Sequence, residues 1–212
     1  MDWNFRNNWD EFAWERELRK DELRISRYFK TLPGCLDLPG EDEMIFRNLM
    51  AQPELVPTGV RDPRHISMFG FQEGDGDEDF GEDPVRRRGN FEALRRLEAL
   101  ASDWNLLVAS ELDDRSFREA LAVTCAFGKL LARILNLSDI EEVPETVPLR
   151  ISLAKRILAD INELSIRLED FRKKEYLADH LLARFLEQMT YLREAALDLL
   201  GMLRNPPPAE NS

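Results

Sequence analysis

From residue 91 to residue 204, apolar side chains recur at spacings of three and four through long stretches with few helix breakers. That period marks amphipathic helices, and four of them follow one another. The first spans about 91–111, with Leu94, Leu97, Ala101, Trp104 and Val108 as its stripe and Asn90 placed to cap it. The second begins near Asp114, where Ser116 and Glu119 have capping-box spacing. It carries Phe117, Leu121, Phe127, Leu131 and Ile134 to about Asn136. The third opens at Pro148, a residue suited to a first helical turn, and reaches about Lys174 through Ile151, Ala154, Leu158, Ile161, Leu164, Leu168 and Phe171. The fourth runs from about Tyr176 to Arg204 through Leu177, Leu181, Phe185, Leu192, Ala196, Leu199 and Leu203, and Pro206-Pro207-Pro208 ends it. Short links favour antiparallel neighbours, so the pattern predicts an all-α fold built on an antiparallel four-helix bundle over about 91–204.

Ahead of the bundle the pattern gives one more long helix, over 8–31. Its apolar contacts are Trp9, Phe12, Trp14, Leu18, Ile25, Tyr28, Phe29 and Leu32. Two Pro-Gly turns follow, Pro33-Gly34 and Pro39-Gly40, because Pro presets φ and Gly accepts positive φ. Glu41, Asp42 and Glu43 are then placed to meet the positive end of a short second helix reaching about Ala51. The expected organisation is an N-terminal helical arm packed on the bundle (1–52), an irregular acidic linker (53–90), the bundle (91–204) and a polar tail (205–212). Residues 52–90 hold four prolines and six glycines. A connection of that length is uncommon in a compact domain, and is either functional or disordered.

Charge is distributed unevenly. The chain of 212 residues has a formal net charge of −12, and residues 37–83 alone carry thirteen acids against three bases. Seven carboxylates fall within Glu73–Asp83: Glu73, Asp75, Asp77, Glu78, Asp79, Glu82 and Asp83. With three glycines among them, they predict a solvated loop rather than part of a core. Arg86, Arg87 and Arg88 follow at once and partly neutralise the acids in cis. Three arginines beside seven acids are a poor footprint for phosphate, so no nucleic-acid partner is expected. No segment has ~18 uninterrupted apolar residues, the longest candidate (Leu121 to Leu135) being broken by Gly128, Lys129 and Arg133. Residues 1–6 have no basic start and no apolar h-region. A cytoplasmic protein with no membrane partner is the expectation.

The usual chemical constellations fail one by one. Asp75, Asp77, Asp79 and Asp83 suggest a calcium loop, but the sixth position is Phe80 where glycine is needed and the twelfth is Arg86 where a bidentate Glu is needed. Weak, nonspecific divalent binding is all that this spacing predicts. Asp79-Phe80-Gly81 lacks every other part of a kinase site. A di-iron carboxylate bundle needs Glu-x-x-His on two helices, and the chain has only His65 and His180. Cys35 and Cys125 are far apart and form no metal-ligand or redox spacing; Cys125 lies in an apolar run and is expected as a small buried hydrophobe, Cys35 as the more accessible thiol. Glu163 with Arg167 is an ordinary helix-surface pair, and Asp160 shares its face. No catalytic residue, cofactor or dedicated metal is therefore expected.

What remains is surface. Trp3, Phe5, Trp9, Phe12 and Trp14 place five large rings in twelve residues, either docked on the bundle or exposed as an anchor for a partner or a second copy. The function expected is that of a non-enzymatic interaction protein, an adaptor or a self-associating module. In it, the acids Glu73, Asp75, Asp77 and Asp79 steer a basic partner. The alternative is a ligand-binding or catalytic bundle with a pocket between helices, lined by Trp104, Phe127 and Phe185.

Overall fold

A computed structural model of the chain describes residues 9–36, 38–58, 92–111 and 115–205. All regular structure among them is helical: α1 (Glu11–Thr31), α2 (Glu41–Met50), α3 (Glu92–Glu111), α4 (Phe117–Ser138), α5 (Val147–Lys173) and α6 (Asp179–Arg204), with short 3-10 turns at Leu32–Gly34, Pro53–Leu55 and Pro144–Thr146. The fold class is all-α, as the apolar period implied. The chain divides into two compact units, Met1–Asp79 and Phe80–Ser212.

In the N-terminal unit, Asp10 caps α1 by accepting the Ala13 N–H at 2.8 Å, so the helix begins at Glu11 rather than at residue 8. Gly40, at φ 69°, lets the chain turn into α2, whose first residues Glu41, Asp42 and Glu43 lie at its positive end. Ile45, Leu49 and Met50 of α2 form a small core with Leu55, and Tyr28, Leu32, Cys35 and Phe46 pack against it. Cys35 is half-buried there, not the open thiol that its turn-rich neighbourhood suggested.

In the C-terminal unit, α5 packs on both α4 and α6, α4 packs on α3, and α3 touches α6. Contacts fix two of the directions. Lys129 and Arg133 of α4 meet Asp160 of α5, while Glu119 meets Lys174; residue numbers rise along one helix as they fall along the other. On α3 and α6, the Arg96 guanidinium lies 4.0 Å over the Tyr191 ring and Asp103 pairs with Arg184, again antiparallel. Trp104 centres the core with no exposed surface; Phe127, Phe171 and Phe185 surround it, with centroids 5.4–6.2 Å away. Its indole N–H donates to the Thr124 hydroxyl at 3.1 Å, so even this buried polar atom has a partner.

One detail of these helix ends differs from expectation. Ser116 precedes α4 in helical conformation and its hydroxyl does not cap the helix, so the capping-box spacing there is not used. Asn90 lies outside the described residues. Pro148 does occupy the first turn of α5.

Candidate functional site

Of the rings expected as a partner anchor, Trp9, Phe12 and Trp14 do not share one exposed face. Trp14 is buried, Trp9 half-buried with its ring 4.9 Å from that of Trp14, and Phe12 is 76% exposed on the other side of α1. Trp3 and Phe5 lie outside the described residues. So do Glu73, Asp75, Asp77, Asp79 and Asp83. Among the described residues no group of three or more His, Cys, Asp or Glu side chains could hold a metal ion. His180 is exposed at the start of α6. Trp104, Phe127 and Phe185 are brought together, but as mutually packed core rings.

Two charged clusters that the sequence did not reveal hold the helices in place. On α1, Glu17 is 3% exposed. Its carboxylate accepts from Arg24 Nη2 at 3.0 Å and from the Thr58 backbone N–H at 3.0 Å. Arg24 Nη1 also donates to the Leu55 carbonyl at 2.6 Å, and Lys20 Nζ to the Val56 carbonyl at 3.1 Å and the Thr58 hydroxyl at 2.8 Å. Burial pushes the Glu17 pKa up, but the Thr58 and Arg24 hydrogen bonds favour its charged form and leave it below the ordinary Glu value. Three consecutive turns of α1 thus pin residues 55–58 along the helix.

The second cluster joins α4 to α5. Asp160 is 6% exposed; Lys129 Nζ stands 2.9 Å from one carboxylate oxygen and Arg133 Nη1 2.7 Å from the other. Arg133 also donates to the Arg156 carbonyl at 3.3 Å. Glu163, paired with Arg167 at 2.7 Å as expected, is held below the ordinary Glu value chiefly by that hydrogen bond. The signal available in the sequence was the i, i+4 pair Lys129 and Arg133 in the otherwise uncharged stretch 120–138, which favours a counter-charge on a neighbour.

These contacts fix how α4 is rotated, and with it the most unusual surface of the unit. Thr124 turns toward Trp104 of α3, and Lys129 and Arg133 turn toward Asp160 of α5. The arc between them looks outward. It carries Phe117, Leu121, Cys125, Gly128 and Ala132, all exposed and apolar or small, with exposed Arg118 and Asn136 along its α5 side. Phe117 is 59% exposed and Leu121 50%. The expectation that Phe117 and Leu121 belong to the core stripe is overturned: the buried residues of α4 are Ala120, Val123, Phe127, Leu130, Ile134 and Leu137. The same rotation exposes Cys125, which was expected to be buried. A 22-residue helix apolar on two faces gives one periodic pattern where only one face meets the core. By length and composition α4 could cross a membrane, yet its mid-helix cations are engaged by Asp160 and its inner face by core side chains. The chain matches no family model, no curated protein and no solved structure.

Proposed function

We propose that this protein is a non-enzymatic interaction protein whose binding surface is the outward face of α4. The observation that carries this reading is the exposed row Phe117, Leu121, Cys125, Gly128 and Ala132, bordered on its α5 side by Arg118 and Lys129. Helices that face only water place charge outward, as α6 does with Arg184, Glu187, Arg193, Glu194 and Asp198. A contiguous apolar patch on a folded surface marks a site of association. The acidic segment 73–83 adds long-range attraction and steers the encounter with a basic partner, an effect that weakens as salt rises. A pocket lined by Trp104, Phe127 and Phe185 is the weaker reading, because those rings fill the space between the helices.

Native mass spectrometry of the protein purified from its own host tests this. The expected result is a species heavier than the 24.7 kDa chain, containing a second polypeptide, that reverts to the monomer mass when Leu121 is replaced by Glu. A monomer retaining a small molecule or metal, unchanged by Leu121→Glu, would overturn the reading in favour of an inter-helix site.

A further inference from the structure

After α2, residues 54–58 run back along α1, and their contacts follow in order. Glu54 meets Arg27, Leu55 meets Arg24, Val56 meets Lys20 and Thr58 meets Glu17. One side chain anchors the run: Leu55 has no exposed surface and packs with Ile45, Leu49 and Met50 of α2. Beyond that anchor the run is held by its main chain. Arg24 and Lys20 donate to the Leu55 and Val56 carbonyls, and Glu17 accepts the Thr58 N–H. Val56 and Pro57 are only half-buried and Thr58 is exposed. We infer that residues 53–58 are a latch on the N-terminal unit, which opens as one piece when Glu17 loses its charge while α1 and α2 stay paired.

Glu17 is the knot of the latch. One carboxylate oxygen accepts from Arg24 at 3.0 Å; the other accepts the Thr58 N–H at 3.0 Å and faces Lys20 Nζ at 3.6 Å. The two cations that grip the latch carbonyls are therefore placed by the same buried carboxylate. Without its charge, Arg24 and Lys20 lose a counter-charge in a partly buried site, the costly way to break an ion pair. Because the three contacts share one carboxylate, they fail together.

The neighbouring charges do not replace it. Asp21, on the same helix, shares Arg24 but is half-exposed, and the Arg27–Glu54 pair is open to solvent, so both are screened. On α2, Glu43 pairs with Arg47, and Asp42 accepts from the Tyr28 hydroxyl. That Tyr28–Asp42 bond, with the packing of Leu32 and Phe46, joins α1 to α2 about three turns from Glu17. The helix pair keeps this joint when the latch lifts, and the seat of Leu55 beside Ile45, Leu49 and Met50 then faces solvent. Short runs with few buried apolar contacts are the parts of a fold that open locally. Since the folded pKa of Glu17 lies below its ordinary value of 4.5, the latch holds at neutral pH and gives way as pH falls below that value.

Amide hydrogen exchange of the full chain, followed by NMR and expressed as protection factors, reads the latch directly. The reporters are the N–H groups of Leu55, Val56 and Thr58, bonded to the Gln52 carbonyl, the Pro53 carbonyl and Glu17. Glu17→Gln is expected to lower protection at all three together, by at least about tenfold at neutral pH, while amides of α1 around Tyr28 and of α2 keep theirs. The wild type is expected to show the same selective loss on acidification, and Glu17→Gln no further loss. If Glu17→Gln does not fold, the wild-type acid series and Lys20→Gln, a change at a partly exposed side chain, carry the test; Lys20→Gln should lower the same three amides and no others. Protection lost alike at the latch and throughout α1 and α2 would mean that the unit opens only as a whole. Latch amides indifferent to Glu17→Gln and to acid would mean that Glu17 is not the lock. Either result would overturn the inference.

Discussion

Glu175 shows how much a single residue can resist prediction. It sits at φ 55°, the left-handed region that side chains with a Cβ rarely adopt, just past the end of α5. Its N–H bonds the Arg172 carbonyl at 3.0 Å, and the Tyr176 N–H bonds the Phe171 carbonyl at 3.4 Å, which is the hydrogen-bond pattern of a Schellman stop. The accompanying apolar contact is present too, with the Phe171 and Tyr176 rings 5.0 Å apart. No glycine marks this end in the sequence. The apolar pattern therefore puts the helix end near Lys174 without a reason for it, and puts the next start three residues early, at Tyr176. Glu175→Gly should relieve the left-handed strain and raise stability by about 0.5–1 kcal/mol, measured by urea denaturation. An unchanged or lowered midpoint would contradict the local assignment.

At the scale of the helices, the sequence conveyed existence and type but not rotation. All six α-helices were legible because apolar spacing and breakers define them. Which face of α4 points inward was not, because Phe117 and Leu121 fit the same period as Phe127 and Ile134. Rotation is decided by long-range pairs such as Lys129 and Arg133 with Asp160, which no local pattern contains. The Glu17 cluster is similar: it joins α1 to residues 55–58 across about forty positions of sequence. It also makes a prediction about acid. A carboxylate whose folded pKa lies below its unfolded value stabilises the fold fully above the unfolded value, and that stabilisation is lost as pH falls through the folded one. The N-terminal unit should therefore weaken as pH drops below about the ordinary Glu value of 4.5. Glu17→Gln should be less stable at neutral pH by about 2 kcal/mol, since it leaves Arg24 without its buried counter-charge. It should also show less additional loss on acidification. Denaturant titrations of α1 unfolding at pH 7 and pH 4 check both; equal acid sensitivity in the two proteins would refute the assignment to Glu17.

For the molecule as a whole, the charge and the apolar surface belong to different places. Thirteen of the 41 acids lie in residues 37–83, whereas residues 146–212 balance ten acids with ten bases. On the proposed reading, attraction at a distance comes from one segment and close contact from another, the outward face of α4. The acidic segment was plain in the sequence because composition alone announces it. The α4 face was not, since exposure is a property of the fold. The most direct test of this account uses Cys125 as a native reporter, because it stands at the middle of that face. Its rate of alkylation should be compared in intact host cells and in dilute purified protein, with half-buried Cys35 as the internal reference. The account predicts that Cys125 reacts readily when the protein is dilute and is protected several-fold in the cell, while Cys35 reacts alike in both. Equal and rapid labelling of Cys125 in both settings would mean that nothing covers the face, and would contradict the central claim.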